Sequence, residues 1–255
     1  MTLKSVLLGV LLPVLILLVW ETGSRLRWWQ PNILPGPGDI AQYMVESVRD
    51  GSLLKNIGAT VSRLAVGFLL GLGAGLIFGS VTGFSRLISH LVDPFIQGMR
   101  AIPSIAWAPL FLIWLGIGEA SKVALIALGV FFPIYLNLVA GFHGVDRKLI
   151  EVGRVHGLGS LALISRIILP AALPAFLTGV RGGLGLGWMF VVAAELLGAS
   201  RGLGFLLDYG QNISRPEITL SSILLFAILG KLTDALVVAL QRRVLSWQDT
   251  LGVAR

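Results

Sequence analysis

The chain has 255 residues, 55% of them hydrophobic and 13% charged, a formal charge of +7 and a mean hydropathy of +0.87. Soluble domains carry about a quarter charged residues, so half that share cannot clothe a water-facing surface, and lipid must cover much of this one. The basic balance fits the Lys and Arg excess of cytoplasmic loops rather than a nucleic-acid surface, and the absence of cysteine excludes disulfides, thiolate metal sites and thiol nucleophiles.

A helix needs about 20 apolar residues to cross a bilayer. Long apolar stretches predict about six spans, roughly at 3–20, 57–82, 102–115, 123–142, 173–197 and 220–240. The first follows Lys4 like the core of a signal peptide, but it runs into Trp20, Glu21 and Arg25 with no small-residue cleavage site. It is expected to stay as a span. Residues 21–56 hold the turn formers Pro31, Pro35, Gly36, Pro37 and Gly38, and the stretch 39–48 then opens on Asp39 with helical apolar spacing. That predicts a short amphipathic helix outside the membrane core. The third span is interrupted by Pro103 and Pro109. The expected organisation is an N-terminal span with an external segment over 1–56, a transmembrane domain over 57–245 and a tail over 246–255.

Loop charges orient the chain. Arg86, Arg100, Arg147, Lys148, Arg154, Arg166, Arg242, Arg243 and Arg255 fall on one side, and Lys122, Arg201 and Arg215 in the short loops of the other. The segment 21–56 is also basic, yet the positive-inside rule favours cytoplasmic N- and C-termini. No internal duplication is visible.

The second span carries Gly67, Gly71, Gly75, Gly79 and Gly83, four apart, and the fifth repeats the device with Gly179, Gly183 and Gly187. Such spacing lets another backbone approach closely, either to line a pore or join a dimer, or simply to pack one subunit. Gly71-Leu-Gly-Ala-Gly75 lies inside a span and lacks the strand-turn-helix setting of a dinucleotide fingerprint. Gly230-Lys231 has neither the preceding glycine nor the following Ser/Thr of a P-loop. Any ATP-driven motor must therefore come from a partner. His90, His143 and His156 are expected in aqueous loops and match no metal motif. No nucleophile and base are proposed to meet, so enzyme activity is not expected.

Ionisable residues inside spans suggest function because lipid penalises them. Four are noted: Arg181, Glu195, Lys231 and Asp234. Lys231 and Asp234, three apart on one helix, are expected to pair with each other. Arg181 could attract an anion in transit or snorkel to the interface, and Glu195 could face a rim partner or a substrate. The loop after the fourth span reads Asp146-Arg-Lys-Leu-Ile-Glu151-Val-Gly-Arg-Val-His-Gly157, with Ile167-Ile-Leu-Pro170 beyond. Asp146 suits an N-cap, Leu149, Val152 and Val155 or His156 share a face, and Gly157 suits a stop. A short amphipathic helix at the inner membrane face follows, which could by itself be an interfacial anchor.

This loop resembles the EAA motif of bacterial ABC importer permeases, a glutamate, two small residues, a later glycine and a Leu-Pro, here Glu151, Gly157, Leu169 and Pro170. It departs from the pattern at Val152 and Gly153, where alanines are usual, and at His156. Ile33-Leu-Pro-Gly-Pro37, Arg100-Ala-Ile-Pro-Ser-Ile-Ala-Trp-Ala-Pro-Leu110, Leu115-Gly-Ile-Gly-Glu-Ala-Ser-Lys122, Phe132-Pro-Ile-Tyr-Leu-Asn137, the glycine-rich run 179–188, Ala194-Glu195-Leu-Leu and Gly230-Lys231-Leu-Thr-Asp234 are similar to the branch importing aliphatic sulfonates, taurine, nitrate and thiamine precursors.

The resemblance implies an all-α, type I importer permease fold with about six transmembrane helices and a cytoplasmic coupling helix, in a bacterial inner membrane. It implies a second copy of the chain, two ATP-binding subunits holding ATP and Mg, and an extracytoplasmic substrate-binding protein, with no cofactor or metal in this chain. It makes Glu151, Val152, Gly153, Arg154, His156 and Gly157 the ATPase-coupling residues. Arg181 and Glu195 are path candidates, and Gly67, Gly71, Gly75 and Gly79 are helix-packing positions. Aliphatic sulfonate is the preferred substrate. The competing class is a self-sufficient secondary transporter in which Arg181, Glu195 and Asp234 couple ions.

Overall fold

A computed structural model of the protein describes residues 3–247, with the side chains of residues 3–10, Arg86, Ser104 and Leu161 outside the description. All but two residues of the expected tail over 246–255 therefore lie outside the described residues. Every described element is helical: α1 (Leu3–Arg25), α2 (Pro37–Arg49), α3 (Ser52–Phe84), α4 (Arg86–Ala101), α5 (Ala108–Leu115), α6 (Glu119–His143), α7 (Arg147–Val155), α8 (Ser160–Leu163), α9 (Leu169–Leu196), α10 (Leu203–Asn212) and α11 (Pro216–Val244). A 3-10 turn at Ser104–Trp107 precedes α5, and a π-helical segment at Ile164–Ile168 leads into α9.

Among the described residues four helices are long and apolar enough to cross a membrane: α3, α6, α9 with its π-helical lead, and α11. A fifth crossing is possible if α4 and α5, bent by 89° at their break, count as one. The third span expected at 102–115 is thus corrected. The helix α5 has eight residues, about 12 Å at 1.5 Å per residue, against a hydrocarbon core of about 30 Å. Ile102 and Pro103 take extended backbone with ψ of 124° and 120°, as expected of a residue before proline and of a ring that cannot continue a helix. The residues ahead of them, expected as a loop containing His90, form α4 instead, with Pro94 inside it. His143 ends α6 and His156 caps α7.

The chain divides into two compact units. One gathers the residues up to Thr60 with Gly198–Ala227, and the other Val61–Leu197 with the residues from Ile228 onward. In the first, α1 and the turn to α2 are tied by Trp20 Nε1 donating to the Pro35 carbonyl at 3.0 Å and by the Gly38 amide donating to Glu21 at 3.1 Å. The amides of Gly202 and Leu203, at the start of α10, donate to Asn56 Oδ1 and Thr60 Oγ1, each at 2.8 Å. These side chains of α3 satisfy donors that a helix start cannot satisfy internally.

In the second unit, α6 is the central span. Its Leu125, Ile126, Val130, Ile134, Tyr135 and Leu138 are buried. A Cβ built on Gly67, Gly75 or Gly79 of α3 would meet Ile126, Ile134 or Leu138 at 2.6, 2.8 and 3.1 Å, and at Gly71 it would meet the Ala127 carbonyl at 2.5 Å with Val130 beside it. Gly83 faces Phe142 in the same way. Both numberings rise together in steps of four, so α3 and α6 descend side by side in the same direction, backbone against side chain. On its other flank α6 takes α9, where Gly179 sits on Asn137 and the Pro133 carbonyl, and Gly183 on the Val130 carbonyl. The helix α4 lies against α6 through Ile96, Phe132, Tyr135 and Val139, and Tyr135 Oη donates to Asp93 at 3.1 Å.

Candidate functional site

The residues expected to couple to an ATPase lie on and just after α7. Asp146 caps the helix, its carboxylate accepting from the Lys148 amide at 2.9 Å. Arg147 Nε donates to Glu151 Oε1 at 2.9 Å across one exposed turn. The far end closes through the Gly157 amide to the Arg154 carbonyl at 2.9 Å and the Leu158 amide to the Gly153 carbonyl at 3.0 Å. Gly157 has φ of +74°, the left-handed conformation that glycine supplies at helix C-termini. His156 caps this end with Nδ1 at 2.9 Å from the Val152 carbonyl.

Within α7 only Gly153 is buried. A Cβ there would stand 2.6 Å from the end of Ile167, with Leu158 and Leu163 close by. Gly153 is therefore the point at which α7 rests on the π-helical lead of α9, a physical reason for glycine where the motif usually has alanine. The apolar residues foreseen in the sequence stay open beside this seat, with Leu149 at 49%, Val152 at 55% and Val155 at 85% exposure. Arg154 and Glu151 are exposed too.

Glu195 lies in a buried charge network. Arg63, within α3 and not among the four ionisable residues expected inside spans, donates from Nη1 to Glu195 Oε1 at 2.7 Å. The same guanidinium grips Glu119 at the start of α6, Nε to Oε2 at 2.5 Å and Nη2 to Oε1 at 2.8 Å. Lys122 Nζ stands 3.5 Å from Glu119. Two cations thus meet two anions where the start of α6 and the end of α9 flank Arg63 of α3. Arg63 and Glu195 side chains are 7% and 0% exposed, whereas Glu119 is 61% exposed. The usable signal was positional, because Arg63, Glu119, Lys122 and Glu195 all fall near the same predicted membrane face.

Arg181 is held by Asp234 of α11, Nε to Oδ1 at 2.6 Å and Nη2 to Oδ2 at 3.0 Å. This corrects the expected Lys231–Asp234 pair. A guanidinium fork matches both carboxylate oxygens at once, which a lysine three residues along the same helix cannot do. Trp188 Nε1 adds a second tie between these helices, donating to Thr233 Oγ1 at 2.8 Å. The Arg181 and Asp234 side chains remain 51% and 32% exposed. Among the described residues no group of His, Cys, Asp and Glu is arranged to hold a metal.

Comparison with known proteins matches residues 71–246 to the family of binding-protein-dependent transport system inner membrane components. The aliphatic sulfonates transport permease protein SsuC of Bacillus subtilis (strain 168) is 41% identical over 242 residues, covering 95% of this chain and 88% of that protein. The taurine transport system permease protein TauC of Escherichia coli (strain K12) is 33% identical, covering 96% and 90%. Among solved structures, the methionine ABC transporter MetNI in inward-facing conformations superposes with a TM-score of 0.65 at 20% identity, over 77% of this chain and 97% of that one. The fold is that of ABC importer permeases, and the chain, a multi-pass membrane protein, belongs to the family of binding-protein-dependent transport system inner membrane components, in its sulfonate, taurine and nitrate branch.

Proposed function

We propose that this chain is the translocation subunit of an importer for small anions, aliphatic sulfonates first, powered by a separate ATPase that grips α7. The carrying observation is the set of exposed apolar residues of α7, Leu149, Val152 and Val155, on a helix seated through Gly153. An apolar face left open on a helix pinned at one residue is suited to a partner's groove. His156 lies with that face, Glu151 and Arg154 lie on the other side of the exposed helix, and Gly157 sets the turn into α8 and α9. A displacement of α7 is passed to α9 through the contact of Gly153 with Ile167.

In this reading two copies of the chain surround one path, two ATPase subunits bind ATP and Mg, and a soluble binding protein delivers the substrate from outside. Both termini are cytoplasmic, which places α7 on the side of the ATPase. The chain itself performs no catalysis. Arg181 and the polar face around it belong to the path, and the 41% identity to an aliphatic-sulfonate permease supports sulfonate over taurine or nitrate.

The test uses the chain co-expressed with a candidate ATPase and binding protein of the same importer family. Val155→Asp and Glu151→Arg are each expected to abolish co-purification of the ATPase and ATP-dependent uptake of ethanesulfonate, with the permease still in the membrane. Unchanged co-purification and uptake in both variants would refute the coupling role of α7. Uptake that ignores ATP depletion but stops with the proton gradient would refute the importer itself.

A further inference from the structure

We infer that Arg181 and Asp234 form a latent anion site on a water-facing stripe of α9, in which the carboxylate occupies the guanidinium until a sulfonate-class anion displaces it. The inference rests on the anion-importer reading above and deepens it by naming the side chain that meets the anion and the one that competes with it.

The pair lies well inside its helices. Arg181 stands 12 residues into α9, about 18 Å along the axis, and Asp234 stands 10 residues before the end of α11, about 15 Å from it. At such depth an ionisable side chain pairs, or faces protein or water. This pair does the first and is half-open as well, at 51% and 32% exposure. Leu232 and Leu236 of α11 are exposed beside Asp234, but the α9 side of the pair is unlike a lipid-facing surface. On α9 the exposed residues on either side of Arg181 are Thr178, Gly182 and Gly185, with Leu186 and Met189 following toward the far end. The exposed face of α3 in the same unit is instead Leu69, Leu70, Ile77 and Phe78. Hydrocarbon is met by the second kind of surface, whereas a guanidinium beside a hydroxyl and bare backbone suits a hydrated path.

The chemistry of the fork supplies the ligand class. Arg181 presents two parallel N–H donors to Asp234, and a sulfonate offers oxygens that accept from the same donors. Asp234 hence acts as an internal mimic of the substrate. It keeps the guanidinium neutralised between turnovers, so an anion exchanges one charge-assisted contact for another instead of binding a bare cation too tightly to leave.

The chain contains no cysteine, so in each single-cysteine variant the label on the purified chain reports one position. Thr178→Cys and Gly185→Cys, one turn to either side of Arg181, would be placed in native membranes. Labelling rates would be taken with the sulfonate-bearing reagent 2-sulfonatoethyl methanethiosulfonate and with its trimethylammonium counterpart, each divided by its rate on free 2-mercaptoethanol. Both positions are expected to label, with the anionic reagent favoured. Asp234→Asn should raise that preference about tenfold and Arg181→Gln should lower it about tenfold, because one unit charge roughly 6 Å away changes each reagent's rate about threefold in water and in opposite directions. Arg181→Lys should retain the preference.

Should Arg181→Gln not accumulate, the rise in Asp234→Asn still decides the matter. No labelling by either reagent, cross-linking of the cysteine to a second copy in place of labelling, or equal rates unmoved by Asp234→Asn would each overturn the site. Labelling depends on neither ATP nor a binding protein, so a negative result here leaves the importer reading standing, and loss of the importer reading leaves the labelling prediction measurable.

Discussion

Replacing Glu195 by alanine tests whether the buried charge network is a structural tie between α3, α6 and α9. The substitution removes the buried carboxylate to which Arg63 Nη1 donates at 2.7 Å, in a setting where the two side chains are 0% and 7% exposed. Taking one partner from a buried pair costs about 3–5 kcal/mol. Glu119 retains its two contacts with Arg63 but is 61% exposed, so the loss is placed at the lower end, about 3 kcal/mol. A chain of this size loses about 2–4 °C per kcal/mol, which gives a fall of about 6–12 °C in apparent melting temperature. Glu195→Gln keeps an acceptor for Arg63 and should cost about 1 kcal/mol. The double variant Arg63→Met/Glu195→Leu removes both buried charges and should recover most of the loss. The assay is loss of the monodisperse peak in size-exclusion chromatography of detergent-solubilised protein after heating. One heating rate must serve all variants, because irreversible unfolding makes the midpoint depend on it. A shift for Glu195→Ala below about 1 °C, or a double variant as unstable as the sum of its singles, would refute the structural tie.

Further outcomes follow from the packing and the caps. Gly71→Leu would drive a side chain onto the Ala127 carbonyl and Val130 and should lower stability by at least about 1–3 kcal/mol. Gly73→Ala, on the same helix with nothing within 4 Å of its would-be Cβ, should be neutral or stabilising by up to about 1 kcal/mol; both are read by the same heating assay. Asp146→Ala removes the N-cap of α7, worth about 1 kcal/mol. It should speed amide exchange at residues 147–150, measured by hydrogen–deuterium exchange mass spectrometry, and leave α6 unchanged. Trp188→Phe deletes the bond to Thr233 and should cost about 1 kcal/mol, seen as a small drop in the same midpoint.

Much of this architecture could be read from local pattern. A low charge share bounded the solvent, and runs of apolar residues located α1, α3, α6, α9 and α11 to within a few residues, because hydrocarbon demands both length and composition. The cap at Asp146 and the stop at Gly157 were likewise legible, since each depends on one side chain and its neighbours. What escaped was tertiary. The elbow between α4 and α5 arises from Ile102 and Pro103 together, and a sliding apolar count passes over it. Arg63 was hidden because a single cation inside a long apolar run barely lowers that count, and its partners lie 56 and 132 residues away. The i, i+3 rule points Asp234 to Lys231, but the fork of Arg181 from another helix outcompetes it. The departure at Gly153 carried meaning only once Ile167 was seen pressing on it.

The glycines of α3 have a mechanical consequence. From Gly67 to Gly83 five missing side chains receive Ile126, Val130, Ile134, Leu138 and Phe142 in turn, over about 24 Å of axis. The two helices mesh like matched toothed racks. A slide of one residue would bring a tooth against a tooth, and the next register that meshes lies a whole turn, about 6 Å, away. Small axial shear between α3 and α6 is therefore blocked, and the pair moves as one beam. Whatever bending or sliding a transport cycle requires is left to surfaces without such teeth. The ion-paired contact of α9 with α11 is one of these, held by contacts that can be exchanged rather than by shape.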